Sequence, residues 1–366
     1  MSTRKNEAKW IESRSRWQIN VQADGVRRTF TSATPGRKGK IEAERKADKW
    51  FSEMLVDENT RCEILLDKWL EKLKLSTSRS NWLPVQGRIN KWIKPVIGTK
   101  RINRLTQNDL QAVIDNAYSV GGLAAKTLKN IRGDLMAFIK FCRGANTTSF
   151  HPEELTIPAS AKKSSKGIVG TDDIKKLFES SQTLYYGAVV DDFFINAYRF
   201  QVVTGVRPGE LIGLQWNDID GSRVSLERSI NHLGEVTQGK NENAARTFVL
   251  GSTALSILEA QRQMLADYRL ISPLVFPDRD GGHIDQRVYR VAWKRYCKHN
   301  GMTETTPYEL RHTFVSINDE MPSGLKKMVV GHSQSMDTEG IYGHLKQGDM
   351  EKAAGYIDRA FGDILK

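Results

Sequence analysis

Between residues 64 and 142, apolar residues recur at three- and four-residue spacing through four segments, ILLDKWLEKL, INKWIKPVIG, DLQAVIDNA and KTLKNIRGDLMAFIKFC. That period is satisfied by α-helices with one face turned inward, so the stretch is expected to fold as an all-helical domain. Thr106 with Asp109 marks a helix start before the third segment, and Gly121-Gly122 interrupts the chain before the fourth. At 366 residues the chain exceeds what a single hydrophobic core ordinarily serves, and two or three domains are expected.

The flanking regions read differently. Residues 16–32, RWQINVQADGVRRTFTS, alternate polar and apolar about an Ala-Asp-Gly turn, which predicts a β-hairpin with Trp17, Ile19 and Val21 on one face. A charged helical stretch over 39–56 follows. Residues 151–167, with two prolines and the run AKKSSKG, read as an exposed linker. Beyond it a capped helix is expected from Thr171-Asp172-Asp173, then further helices, a short strand pair around 223–250 and a final helix near 348–363.

Composition narrows the class. With 39% hydrophobic and 27% charged residues the chain fits a soluble globular protein, and no stretch is long and apolar enough to cross a bilayer. The amino terminus, MSTRKNEAKW, lacks the apolar core of a secretory signal, so a cytoplasmic location is expected. Cys62, Cys142 and Cys297 have no CxxC spacing and are expected to be small buried residues, not a disulfide framework or a zinc site.

The formal net charge is +12, an excess that attracts polyanions. It divides as +4 over residues 1–60, +11 over 61–166 and −3 over 167–366. The basic residues of the middle segment, Lys91, Lys94, Lys100, Arg101, Lys126, Lys129 and Arg132, are interleaved with helical core patterning and do not form one run. That arrangement suits a folded domain laid along phosphates better than a membrane-surface segment. Arg16, Arg27 and Arg28 of the hairpin could enter a DNA groove, although a solvated hairpin explains them about as well.

Several positions in the carboxy-terminal part together match the needs of phosphoryl transfer: cationic donors for the phosphate, a proton donor for the leaving oxygen and a nucleophile. TGVRPGELIG puts Arg207 before a helix start at Pro208, with Glu210 in the first turn. TPYELRHTF puts Arg311 on a helix with Tyr308 one turn earlier and His312 adjacent. VVGHSQSMDTEGIYGHL puts His332 after an apolar helix and Tyr342 ten positions later. Taken singly, these arginines read as salt-bridge residues, and His332 and Tyr342 as packing residues.

In combination, the order Arg, Lys, Arg, His, Tyr resembles the tyrosine recombinase, or phage integrase, family, and in particular the integrases of temperate phages and conjugative transposons. Thr204, Gly205, Arg207 and Glu210 match its TGxRxxE segment, Leu310, Arg311 and His312 its HxLRH segment, and Gly331-His332 the GH before the nucleophile. The family lysine, in a β-hairpin turn followed by an arginine and an apolar strand, corresponds to Lys240, with Arg246 and Phe248-Val249-Leu250 behind it.

The resemblance implies a multidomain, mostly α fold with small β elements. It comprises an arm-type DNA-binding domain (β-sheet plus helix, 1–60), an all-helical core-binding SAM-like domain (61–150), a linker (151–167) and a mainly α catalytic domain of the DNA breaking-rejoining type with a tail helix (168–366). It implies Tyr342 as nucleophile, Arg207, Arg311 and His332 on the non-bridging oxygens and Lys240 as proton donor to the 5′ oxygen. Glu210 and His312, with His344, would support them. Neither metal, cofactor nor ATP is implied. Where the family carries histidine at the head of HxLRH this chain has Tyr308, a poor base near neutral pH since a phenol's reference pKa is about 10. The implied partners are double-stranded DNA attachment sites, further copies in a tetramer through the tail helix, and an excisionase or a host DNA-bending protein, in a bacterial cytoplasm. A catalytically silent DNA-binding protein and a type IB topoisomerase-like enzyme are the alternative readings.

Overall fold

The computed structural model describes residues 6–23, 26–54, 56–163, 167–237, 245–331 and 348–366. The chain divides into two compact units, Met1–Ser164 and Ser165–Lys366.

The first unit holds two hydrophobic clusters. Strands β1 (Lys9–Ile11), β2 (Arg16–Ala23) and β3 (Val26–Ser32) form an antiparallel sheet in that order. Ile19 pairs with Phe30 and Val21 with Arg28, so period two sends Ile19 and Val21 to the covered face. Helix α1 (Gly36–Met54) lies on that face through Ala43, Ala47 and Trp50. Its two alanines present little bulk where helix and sheet meet. The helix starts three residues earlier than the sequence pattern indicates.

The second cluster is built by α2 (Cys62–Ser76), α3 (Arg79–Arg88), a π-helical turn (Ile89–Ile93), α4 (Lys94–Ile97), α5 (Gln107–Ser119) and α6 (Ala125–Gly144). Across the wide turn the Lys94 amide donates to the Ile89 carbonyl, five residues back. The extra residue keeps Ile89, Trp92, Ile93 and Ile97 all buried on one side. Thr106 and Asp109 form a reciprocal capping box at the start of α5.

The exposed linker expected at 151–167 is corrected over its first part. Glu153 and Thr156 exchange backbone hydrogen bonds with the side-chain amides of Gln107 and Gln111, and Leu155 and Ala161 are buried in the helical core. The two glutamine amides act as a strand edge, donating and accepting like a backbone, which holds this segment along α5.

In the second unit α7 (Thr171–Glu179) is followed by a hairpin, β4 (Gln182–Tyr185) and β5 (Ala188–Asp191). Thr171 is the first helical residue and not a side-chain cap; Asp173 instead accepts from the Thr303 amide at 2.9 Å. Helix α8 (Ile195–Thr204) is buried at every position except Arg199 and forms the axis of the core, with α9 (Pro208–Gly213) after it. Short strands follow: β6 (Ile219–Asp220), β7 (Arg223–Leu226), β8 (Ser229–Ile230), β9 (Val236–Thr237) and β10 (Arg246–Val249), with a three-stranded sheet ordered β10-β7-β6. Helices α10 (Ser252–Asp267), α11 (Gln286–His299), α12 (Pro307–Ile317), α13 (Ser323–Val330) and α14 (Asp349–Leu365) complete the unit. Tyr198, Tyr289, Trp293 and Tyr296 stack beside α8, all buried.

The tail helix α14 packs on its own unit. Ala353, Ile357 and Phe361 belong to the core of its own unit, and its Asp358 carboxylate accepts from the Ser252 and Thr253 amides at the start of α10. All three cysteines are buried. No helix among the described residues is long and apolar enough to cross a membrane.

Candidate active site

Gly205 ends α8 in the left-handed conformation, at φ 65°. A Cβ there would lie 2.4 Å from the Phe314 ring, so both backbone and space require glycine. The turn places Arg207, in extended conformation, as the N-cap of α9, and Pro208 supplies the preset first helical residue. Glu210, in that first turn, is 2% exposed. Its Oε2 accepts from the Arg207 amide at 2.9 Å and its Oε1 from Arg207 Nη1 at 2.6 Å.

A second arginine faces the same carboxylate. Arg246, leading β10, donates through Nη1 and Nη2 to Oε1 and Oε2 of Glu210 at 3.0 and 2.9 Å. Arg311, on α12, is 2% exposed; its Nη1 donates to the Gly205 carbonyl at 2.8 Å and its Nη2 to the Val330 carbonyl at 2.6 Å. Arg246 Nε reaches the Val329 carbonyl at 2.7 Å and Arg207 Nη2 the Gly331 carbonyl at 3.1 Å. Three arginines from distant segments thus grip three successive carbonyls, 329 to 331, at the end of α13, where the negative end of the helix dipole favours cations.

Among the described residues, Glu210 is the carboxylate that contacts Arg207 and Arg246. Burial pushes the Glu210 carboxyl up, but the hydrogen bonds and charge of Arg246, then those of Arg207, bring it below its ordinary 4.5. Burial, and after it the charge of Arg207, lower Arg311 to about 10. A guanidinium offers five N–H donors. Arg207 and Arg311 each spend two on the contacts above.

Tyr308 stands on the first turn of α12, 47% exposed, with its ring edge-on to His312 at 5.1 Å. The structure therefore brings together Arg207, Glu210 and Arg311, and puts Tyr308 and His312 on the Arg311 helix. Lys240, His332, Tyr342 and His344 lie outside the described residues. Sequence reasoning passed over Arg246 as a contributor: it served only to mark the strand behind Lys240, and its signal was a lone arginine at the head of an apolar strand.

Among the candidate DNA contacts, Arg27 and Arg28 are exposed on β3 and Lys126 and Lys129 on α6, while Arg16 is half-buried. Lys91 is exposed above the Trp92 ring, and Arg101 donates to the Asn59 carbonyl. Lys94, Lys100 and Arg132 pair with Asp67, Asp109 and Glu154, and so are partly committed within the chain.

Comparisons with known proteins assign this arrangement of helices, small sheets and arginines to a family. The phage integrase family model matches residues 169–348, and that of the phage integrase N-terminal SAM-like domain matches 63–117; together they span more than half of the chain. The chain belongs to the phage integrase family of tyrosine recombinases.

The tyrosine recombinase XerC-like protein of Caldanaerobacter subterraneus subsp. tengcongensis is 23% identical over 316 residues, covering 77% of this chain and 78% of that protein. The ICEBs1 integrase of Bacillus subtilis is 26% identical over 181 residues, 45% of this chain and 48% of that protein. Among solved structures, the Tn1549 transposon integrase in complex with a circular intermediate DNA superposes with a TM-score of 0.65 at 16% identity, over 80% of this chain and 98% of that one. A lambda integrase tetramer bound to a Holliday junction gives 0.59 at 16% identity, over 93% and 98%. These likenesses establish the fold.

Proposed function

We propose that this chain is a site-specific DNA recombinase that cuts and rejoins strands through a 3′-phosphotyrosyl bond to Tyr342, and that it integrates and excises a mobile element or prophage. The observation that supports this most is the convergence of Arg207 and Arg311 on the carbonyls directly preceding His332. In the reaction the Tyr342 oxygen attacks phosphorus, the bond to the 5′ oxygen breaks, and Lys240 supplies the proton that oxygen takes up. Negative charge growing on the non-bridging oxygens is met by Arg207, Arg311 and His332. The bond energy stays in the phosphotyrosine, so a 5′ hydroxyl from a partner strand reverses the step without metal or ATP.

The domain division given above, with residues 1–60 on arm-type sites and 61–150 closing on the core site, belongs to this proposal. So do assembly as a tetramer on attachment-site DNA and the use of a directionality or DNA-bending factor. The test is covalent capture. A library of nicked duplexes is incubated with the wild-type chain and with Tyr342→Phe, and adducts are resolved on denaturing gels. Adducts from the wild type alone carry the reading and, sequenced, give the site; tight, salt-sensitive binding with no adduct from either would favour the silent DNA-binding alternative.

A further inference from the structure

Arg246 makes a set of contacts that nothing in the proposed reaction explains. Its side chain is 7% exposed, and Nε, Nη1 and Nη2 all have partners inside the unit. With three of its five donors spent in this way, it has fewer to offer a DNA phosphate than Arg207 or Arg311, which each spend two. Both Glu210 oxygens, however, accept from both arginines: Oε1 from Arg207 Nη1 and Arg246 Nη1, Oε2 from the Arg207 amide and Arg246 Nη2. Glu210 links the two guanidiniums, and Arg246 holds both of its oxygens.

We propose that Arg246 is a positioning residue for Arg207: by holding the buried Glu210 carboxylate ionised and oriented, and by tying the Val329 carbonyl, it sets the guanidinium that receives the scissile phosphate. Loss of Arg246 removes two of the four hydrogen bonds described on Glu210 and leaves a buried carboxylate facing one guanidinium, a situation that favours its protonation. Arg207 Nη1 then has a weakened anchor, and its terminal nitrogens are free to rotate away from the phosphate. A lysine at 246 would restore the charge but not the parallel pair of donors together with the Val329 contact.

This rests on the reading that the chain cuts DNA, and the test separates the two. With the full chain and a duplex carrying the captured cleavage site, single-turnover adduct formation is measured with a phosphodiester or a methylphosphonate at the scissile position. The methylphosphonate is uncharged and has no need of a guanidinium. On the phosphodiester, Arg246→Gln and Arg207→Ala are expected to slow cleavage by about 100-fold, the scale of loss that follows misplacement of a reacting or binding group. Arg246→Lys should fall between them and the wild type, with DNA affinity nearly unchanged. On the methylphosphonate the ratio of each variant to wild type should return towards one. A deficit of equal size on both substrates, or none on either, overturns the role given to Arg246 while leaving the recombinase reading intact. Absence of any wild-type adduct overturns both. Should Arg246→Gln fail to fold, Arg246→Lys carries the same comparison.

Discussion

Glu210 accounts for much of the local stability of the site. A carboxylate this buried is tolerable because two guanidiniums face it, and removing the charge leaves them facing each other. Glu210→Gln is expected to destabilise the catalytic unit by about 3–5 kcal/mol, measured by urea unfolding at neutral pH. Because the folded carboxyl sits below its ordinary 4.5, its ionisation stabilises the fold fully above that value and progressively less as pH falls through the lower folded value. The wild type should therefore lose stability below about pH 4.5 more steeply than Glu210→Gln. Gly205→Ala is the second probe: it places a Cβ against the Phe314 ring and forces a left-handed backbone on alanine. A loss of about 1–3 kcal/mol is expected, and the displaced Gly205 carbonyl should cost cleavage through Arg311. The positions of Arg207 and Arg311 were legible because their neighbours make recognisable local patterns. The part played by Arg246 was not, since it depends on a contact between segments 36 residues apart.

At the scale of elements, local signals did well where they were complete. The capping box at Thr106, the glycine break after α5 and the alternation of β2 all lead to elements close to those observed. They failed where tertiary pairing decides. The hairpin β4–β5 went unseen because its turn uses Tyr186 and Gly187, at φ 47° and 82°, and lacks an Asn-Gly or Asp-Gly signal. The segment after residue 151 read as a linker because its prolines and charges are visible in the sequence and its pairing with Gln107 and Gln111 is not. What the sequence of helix α14 does not display is its own contact with α10, which it caps through Asp358. Asp358→Ala is expected to cost about 1 kcal/mol, the worth of a lost helix cap, read as a lower Tm. An unchanged Tm would mean that α14 is held by its apolar face alone.

For the whole molecule, the charge map separates the work of the units. Nearly all the excess lies in residues 61–166, whereas 167–366 is slightly acidic, so the electrostatic pull on a polyanion comes mainly from the part of the chain ahead of the arginine cluster. Lys126→Ala and Lys129→Ala should each reduce the slope of log affinity against log salt by roughly 0.9. Lys94→Ala and Lys100→Ala should change it less, because those ammonium groups exchange Asp67 and Asp109 for a phosphate instead of leaving water. Equal slopes for all four would show that these ion pairs dissolve at no cost on DNA.

The arginine grip on carbonyls 329 to 331 has a temporal side. Arg207, Arg246 and Arg311 all precede in the chain the carbonyls that hold them, and until α13 has emerged and docked, Glu210 joins Arg207 to Arg246 while Arg311 lacks its Val330 contact. A nascent or prematurely terminated chain ending ahead of α13 retains every residue of the first unit yet cannot complete the three-arginine cluster. The order of translation thus makes completion of the arginine cluster a late step in building the second unit.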